Sequence, residues 1–167
     1  MSKKKIVGYT TGCYDMFHIG HLNIFKRAKQ QCDVLVVGIN SDEAMFSYKE
    51  QYPLIPENER LEIVRNIKQV DDVILVTDTD KLKAYEAVRY DVIFVGDDHK
   101  GEPKWKELES KLSEFGVKVV YLPYTGHTSS TKLRQKIMAN DWLNKKTKNT
   151  SKGEFMVSKK SFFYYRW

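Results

Sequence analysis

Ile6-Val7-Gly8-Tyr9-Thr10-Thr11-Gly12-Cys13-Tyr14-Asp15-Met16-Phe17-His18-Ile19-Gly20-His21 changes character at Gly12. The residues before it form an apolar, β-branched run that reads as a strand, and those from His21 onward open a helical pattern. Two of the chain's four histidines flank Gly20 where that helix should start. A helix N-terminus carries unpaired N–H groups and a partial positive charge, both of which attract phosphate. Glycine between the imidazoles lets an anion approach the backbone. A spacing of three puts His18 and His21 on neighbouring faces of one turn. With no acidic or thiol partner at ligand spacing, the pair argues against zinc. The pattern points to chemistry on a nucleotide's phosphates.

Outward from this stretch, short apolar runs alternate with helical patterns. Candidate strands are Ile6–Thr11, Val34–Asn40, Asp72–Thr77, Val92–Gly96 and Val117–Leu122. Candidate helices are His21–Gln31, Glu57–Ile67, Asp80–Arg89, Lys104–Phe115 and Ser130–Met138. Nearly continuous hydrophobic strands suit a parallel sheet covered on both faces. The alternation predicts an α/β fold: a doubly wound, Rossmann-like, five-stranded parallel sheet flanked by helices, with a short C-terminal extension. Ligands of such sheets sit beyond the strands' carboxyl ends. The histidine stretch, the segment after Gly96 and the Thr125–Thr131 run all fall there.

The chain has 167 residues and a net charge of +6, which is all in its tail. From Lys145 to Trp167 seven bases face one acid, Glu154, so residues 1–144 are neutral. A neutral body excludes nucleic-acid binding by bulk charge. We expect a catalytic domain over 1–144 and a basic, aromatic tail over 145–167. The tail's lysines interleave with Phe155, Phe162, Phe163, Tyr164, Tyr165 and Trp167, a composition suited to an anionic membrane surface or to a partner subunit. No apolar run approaches the roughly 20 residues that span a bilayer. Two cysteines, Cys13 and Cys32, stand in no metal-ligand spacing. With no secretory leader at Met1–Lys5, these features imply a reducing, cytoplasmic setting.

Gly12-Cys13-Tyr14-Asp15-Met16-Phe17-His18-Ile19-Gly20-His21 resembles the signature of the cytidylyltransferase-like nucleotidyltransferases, whose shared core is His-x-Gly-His. The resemblance runs from about Ile6 to Ile137, nearest to the glycerol-3-phosphate and ethanolamine-phosphate cytidylyltransferases. It implies that His18 and His21 stabilise the transition state at the nucleotide's α-phosphate, and that Gly12, Cys13, Tyr14, Asp15 and Gly20 bind the nucleotide. Lys49, ahead of Pro53–Arg60, resembles the family's mobile lysine that closes over the triphosphate; Gln51 stands where a second base is common. Arg60 resembles the arginine of the family's Lys-then-Glu-Glu-Arg stretch and either points into the same site or pairs with Glu57, while Lys68 and Asp71 resemble its Arg/Lys-x-Val-Asp element. The resemblance makes all three substrate-binding candidates, and Lys81 or Lys83, of which we name Lys83, would meet the acceptor's phosphate. Asp97, in Gly96-Asp97-Asp98, resembles the glycerol-3-phosphate enzymes. Thr125, Ser129, Ser130 and Thr131 resemble the family's phosphate-binding hydroxyls, although Tyr124 replaces an arginine and His127 a glycine.

The implied reaction joins CTP to a small phosphorylated alcohol, glycerol 3-phosphate favoured, giving a CDP-alcohol and pyrophosphate by in-line attack. The implied partners are Mg2+ carried by the nucleotide's phosphates, with no protein-bound metal, and a second copy in a homodimer. Phosphoethanolamine or phosphocholine are alternative acceptors. Ser129-Ser130-Thr131-Lys132-Leu133-Arg134 also resembles adenylyltransferases of the same superfamily, which keeps ATP open as donor. His18-Ile19-Gly20-His21 further spells a class I aminoacyl-tRNA synthetase motif, but a neutral body with no room for a tRNA-reading domain argues against that reading. A non-catalytic, nucleotide-sensing role is opposed by the intact histidines and lysine.

Overall fold

The apolar runs become five parallel strands, and their alternation decides which helix covers which face. The computed structural model describes residues 4–123, 125 and 128–138. Its strands are β1 (Val7–Gly12), β2 (Val34–Asn40), β3 (Asp72–Val76), β4 (Val92–Gly96) and β5 (Lys118–Leu122). Its helices are α1 (Ile19–Lys29), α2 (Asp42–Lys49), α3 (Glu57–Arg65), α4 (Lys81–Val88), α5 (Pro103–Glu114) and α6 (Ser130–Met138), with a 3-10 turn at Asp97–His99. The strand order is β3-β2-β1-β4-β5, all neighbours parallel. Leu35, Val37 and Ile39 of β2 and Val92 and Phe94 of β4 pack with Phe25 and Ala28 of α1 and Val64 of α3. Val36, Ile93 and Val95 turn the other way, toward Ala84 of α4 and Leu112 of α5. Side chains alternate with period two, so each central strand feeds both cores.

The chain winds outward from β1 to β3, then crosses to β4 on the other side of β1. The sheet's switch point therefore lies between β1 and β4, where α/β sheets open their ligand crevice at the carboxyl end. β1 delivers the histidine segment there. Two compact units divide the chain, Met1–Lys132 and Leu133–Trp167. Of the second, only Leu133–Met138 is described. The basic tail, Tyr124 and His127 lie outside the described residues.

The opposite rim is sealed by a repeated device. Asp33, Asp71 and Asp91 each precede a strand, and each exchanges two bonds with a neighbouring chain segment. Ile6 N–H donates to Asp33 Oδ2 at 2.7 Å while Asp33 N–H donates to Ile6 O. Leu35 pairs with Asp71 in the same way, its N–H 2.6 Å from Oδ2, and Val7 with Asp91 at 2.9 Å. The carboxylate supplies the acceptor that the missing ladder residue would have supplied.

This overturns one expectation. Asp71 and Lys68 do not reach an acceptor, because the turn from α3 into β3 lies at the amino ends of the strands, across the sheet from the histidines. Asp71 instead caps β2 and pairs with Lys29. Burial alone would raise its pKa, but the Leu35 amide and Lys29 outweigh that and hold it below the ordinary value. Its contribution to stability is thus present above the unfolded value of 3.8 and is lost as pH falls through the lower folded value. Asp71→Ala is expected to cost about 1–2 kcal/mol in denaturant titrations while leaving kinetic constants unchanged. A variant with lost turnover at full stability would restore Asp71 to the site.

Candidate active site

The β1–α1 connection is short and strained. Tyr14 and Met16 both adopt left-handed backbone, at φ 54° and 48°, a conformation that bulky residues hold only where surrounding structure enforces it. Tyr14 is buried, its hydroxyl meeting Thr10 Oγ1, and its ring folds over Gly12, where an added Cβ would stand 3.1 Å from Tyr14 Cζ. Gly12 thus makes room for the turn.

His18 closes the turn as the N-cap of α1, with extended backbone (φ −141°, ψ 174°). Its Nδ1 accepts the Gly20 N–H at 3.0 Å. A backbone amide can only donate, so Nδ1 is unprotonated and the neutral ring carries its proton on Nε2. That folding-over requires glycine at 20, since a Cβ there would sit 2.8 Å and 2.9 Å from His18 Cε1 and Nδ1. The His21 ring stacks on His18, centroids 3.8 Å apart and planes inclined by 25°. Tyr14 and Phe17 hold His21 from the sides, at 5.2 Å and 5.5 Å.

Two atoms of this pair are conspicuous: His18 Nε2 and His21 Nδ1 are buried and have no hydrogen-bond partner among the described residues. A buried orphan polar atom costs about 1–3 kcal/mol. Both rings are held neutral. Burial lowers the His18 pKa, and burial together with the His18 ring pushes His21 down to about 3, against a smaller upward pull from Asp15. The arrangement offers a neutral N–H donor at the mouth of a helix dipole. It suits an oxyanion that accepts hydrogen bonds without needing a proton.

The other expected residues divide into two sets. Asp15 is 5% exposed, and its carboxylate takes the Leu54 and Ile55 N–H groups at 3.1 Å and 3.0 Å. It clamps the segment before α3. Cys13 is half-buried, its thiol pKa raised by burial and pulled back by Arg60 and Lys49 nearby, and its carbonyl accepts from Arg60. Lys49 is exposed at the end of α2, beside left-handed Glu50 (φ 53°). From α6, Ser130 Oγ donates to Asp15 O at 2.6 Å, and Ser129 Oγ caps the helix by accepting the Lys132 N–H. Thr125 Oγ1 accepts from Asn23 of α1, and Thr131 is exposed on the first turn of α6. Asp97 is exposed at the carboxyl end of β4, after Gly96, whose missing Cβ leaves room for Asp98 Oδ1. The starts of α1 and α6 therefore converge on the β1 turn.

One acceptor-side expectation is corrected. Arg60 is not open to a ligand: its side chain is 0% exposed and spends its three nitrogens on Ile55 O, Cys13 O and Asp42 Oδ1. Lys83 is exposed and paired with Asp78. The neighbouring Lys81 is the desolvated one. Burial, then repulsion from Lys104, lowers its pKa to about 8 despite Asp80 and Asp78. Its Nζ donates to Thr79 O at 2.7 Å, at the start of α4 on the ligand-facing rim. Among the described residues no group of three or more His, Cys, Asp or Glu side chains is arranged to hold a metal ion.

The cytidylyltransferase-like family model matches residues 9–136, most of the chain and all of this site. The chain belongs to that family. Among curated proteins it is similar to the FAD synthase of Thermoplasma volcanium, 36% identical over 132 residues that span 77% of this chain and 91% of that protein. It is also similar to the bifunctional protein HldE of Geobacter metallireducens, 32% identical over 136 residues, 81% of this chain. The chain spans only 27% of that relative's length. Among solved structures, the lipopolysaccharide core biosynthesis protein of Thermoplasma volcanium is 30% identical with a TM-score of 0.63, covering 75% of this chain and all of that one. A pantoate-beta-alanine ligase from Francisella tularensis also has a TM-score of 0.63, at 15% identity over 95% of this chain and 76% of its own, and shares the fold alone. The five-stranded Rossmann-like nucleotidyltransferase fold is thereby established. No helix among the described residues is long and apolar enough to cross a membrane.

Proposed function

We propose that this nucleotidyltransferase transfers the nucleotidyl group of a nucleoside triphosphate to a phosphorylated small molecule. An oxygen of the acceptor's phosphate attacks the α-phosphorus, the bond to the β-phosphate's bridging oxygen breaks, and pyrophosphate leaves. The observation that carries this reading is the pair of orphan imidazole nitrogens stacked at the N-terminus of α1. An acceptor phosphate is already an anionic nucleophile near neutral pH, its second pKa being about 6. Neither a base nor a covalent intermediate is required, and catalysis reduces to alignment and charge stabilisation.

Within this reading, His18 Nε2–H and His21 meet the α-phosphate oxygens as their charge grows. Lys49 and the start of α6, with Ser129, Ser130 and Thr131, face the departing pyrophosphate, and Gly12, Gly20 and Thr125 line the nucleotide's path. Mg2+ on the β- and γ-phosphates enters as part of the substrate. The relatives support ATP as donor: FAD carries an adenylyl group, and the FAD synthase is matched over nearly its whole length. A second reading, CTP with glycerol 3-phosphate, is favoured by the Gly96-Asp97-Asp98 turn and by the family's name. Pyrophosphate release, measured with ATP and CTP in parallel against a panel of phosphorylated alcohols, sugar phosphates and FMN, decides between them. Absence of release with every pairing would end the proposal. A homodimer and a cytoplasmic setting belong to the same proposal.

Lys81 is our candidate for the acceptor's phosphate in place of Lys83. Since its pKa lies at about 8, it is cationic below that pH and neutral above it. The acceptor's KM is expected to rise as pH passes 8, and Lys81→Met should abolish that rise by making KM high throughout. A KM indifferent to pH between 7 and 9.5 in the unaltered enzyme would remove Lys81 from this role.

A further inference from the structure

Arg60 is the largest fully buried side chain among the described residues. A buried guanidinium is unfavourable unless every branch is bonded, and here every branch is. Nε donates to Ile55 O at 2.8 Å, Nη1 to Cys13 O at 2.6 Å and Nη2 to Asp42 Oδ1 at 2.6 Å. The three acceptors come from three segments: the β1–α1 turn, the first turn of α2, and the irregular stretch leading into α3. Further bonds tie the same three. Asp15 holds Leu54 and Ile55, and Asp42 and Glu57 exchange bonds, Asp42 N–H to Glu57 Oε2 at 2.7 Å and Glu57 N–H to Asp42 Oδ2 at 3.2 Å.

Apolar residues of similar volume often replace a buried ion pair without loss of stability. What a guanidinium adds is direction, because its planar fork fixes acceptors at set angles. One of those acceptors is the carbonyl of Cys13, next to left-handed Tyr14 and three residues before left-handed Met16. Such a turn persists only when its surroundings over-determine it. The same turn ends at His18, while Asp42 opens the helix that ends at Lys49. We infer that Arg60, anchored by Asp42, is a positioning residue that locks the histidine turn and the lysine-bearing helix in one relative placement without touching substrate. The kinetic arm of its test rests on the nucleotidyl-transfer reading; the spectroscopic arm does not.

The experiment compares the unaltered protein with R60K, R60Q and D42N, each well below its melting temperature. Side-chain 15N NMR of the unaltered protein should give His18 as a neutral ring protonated at Nε2. In R60Q that signature should broaden or average between tautomers. In R60K and R60Q, kcat should fall about 100-fold, the cost of displacing reacting groups by about 1 Å. KM for triphosphate and acceptor should change by less than about threefold, since uniform binding is untouched. D42N, which keeps the arginine and loosens one anchor, should show the same pattern more weakly and decides the matter if both Arg60 variants fail to fold. A folded R60Q with unaltered histidine resonances and kcat would overturn the inference. So would an acceptor KM raised at unchanged kcat, which would make Arg60 a substrate ligand. If the unaltered protein releases no pyrophosphate, the function fails while the NMR comparison still judges the positioning.

Discussion

His18→Ala and His21→Ala are each expected to lower turnover by about two to three orders of magnitude, the usual loss when one donor to a developing oxyanion is removed. The expectation follows from the tautomer. The Gly20 amide occupies His18 Nδ1, so the proton sits on the buried Nε2, which has no hydrogen-bond partner among the described residues. Alanine at 18 also removes the cap of α1, which costs about 1 kcal/mol and confuses stability with chemistry. His18→Asn separates the two. Asparagine is among the best N-caps, so stability should hold, yet no donor reaches the position of Nε2 and the full rate loss should remain. An asparagine variant with near-normal kcat would show that His18 serves only the helix. His21 should set no acid limb on the rate near neutral pH, because burial and the His18 ring push its pKa down to about 3.

The second large effect comes from a residue with no side chain. Gly20→Ala is expected to cost about 100-fold or more in kcat through misplacement of His18, without unfolding the protein. The new methyl carbon would arrive 2.8 Å from His18 Cε1, well inside contact distance, while the nearest backbone atom, Thr128 O, stays at 3.5 Å. The imidazole therefore has to swing away and give up the Gly20 N–H bond. Alanine otherwise favours a helix by about 1 kcal/mol over glycine. A thermally stable but inactive protein is the expected outcome, read from a melting curve beside a pyrophosphate assay. Retained activity would mean that the ring's folded-over position is irrelevant to turnover.

The sheet was largely written in the sequence because its central strands are apolar on both faces. Val34–Asn40, Val92–Gly96 and Ser130–Met138 fall where the pattern puts them. α2 does not, because only Ala44 and Met45 among its eight residues are buried and no apolar stripe forms. Its one signal was Ser41 ahead of Asp42 and Glu43, a serine cap whose Oγ does accept the Ala44 N–H. The histidine pair was legible, since both rings belong to one turn. Arg60 and Asp71 were not. Their partners stand 18 and 36 positions away, at Asp42 and Leu35, and only folding brings them together. Lys81 and Lys83 are two residues apart on α4, and which of them turns inward depends on how that helix packs over Tyr90, whose hydroxyl binds Lys81 O.

The most direct measurement is a crystal structure of this chain with a triphosphate whose α,β-bridge cannot be cleaved. An α-phosphate oxygen should lie about 3 Å from His18 Nε2, a normal hydrogen-bond length, with His21 still stacked behind it. A triphosphate seated elsewhere, or one whose α-phosphate leaves both orphan nitrogens unpaired, would contradict the account.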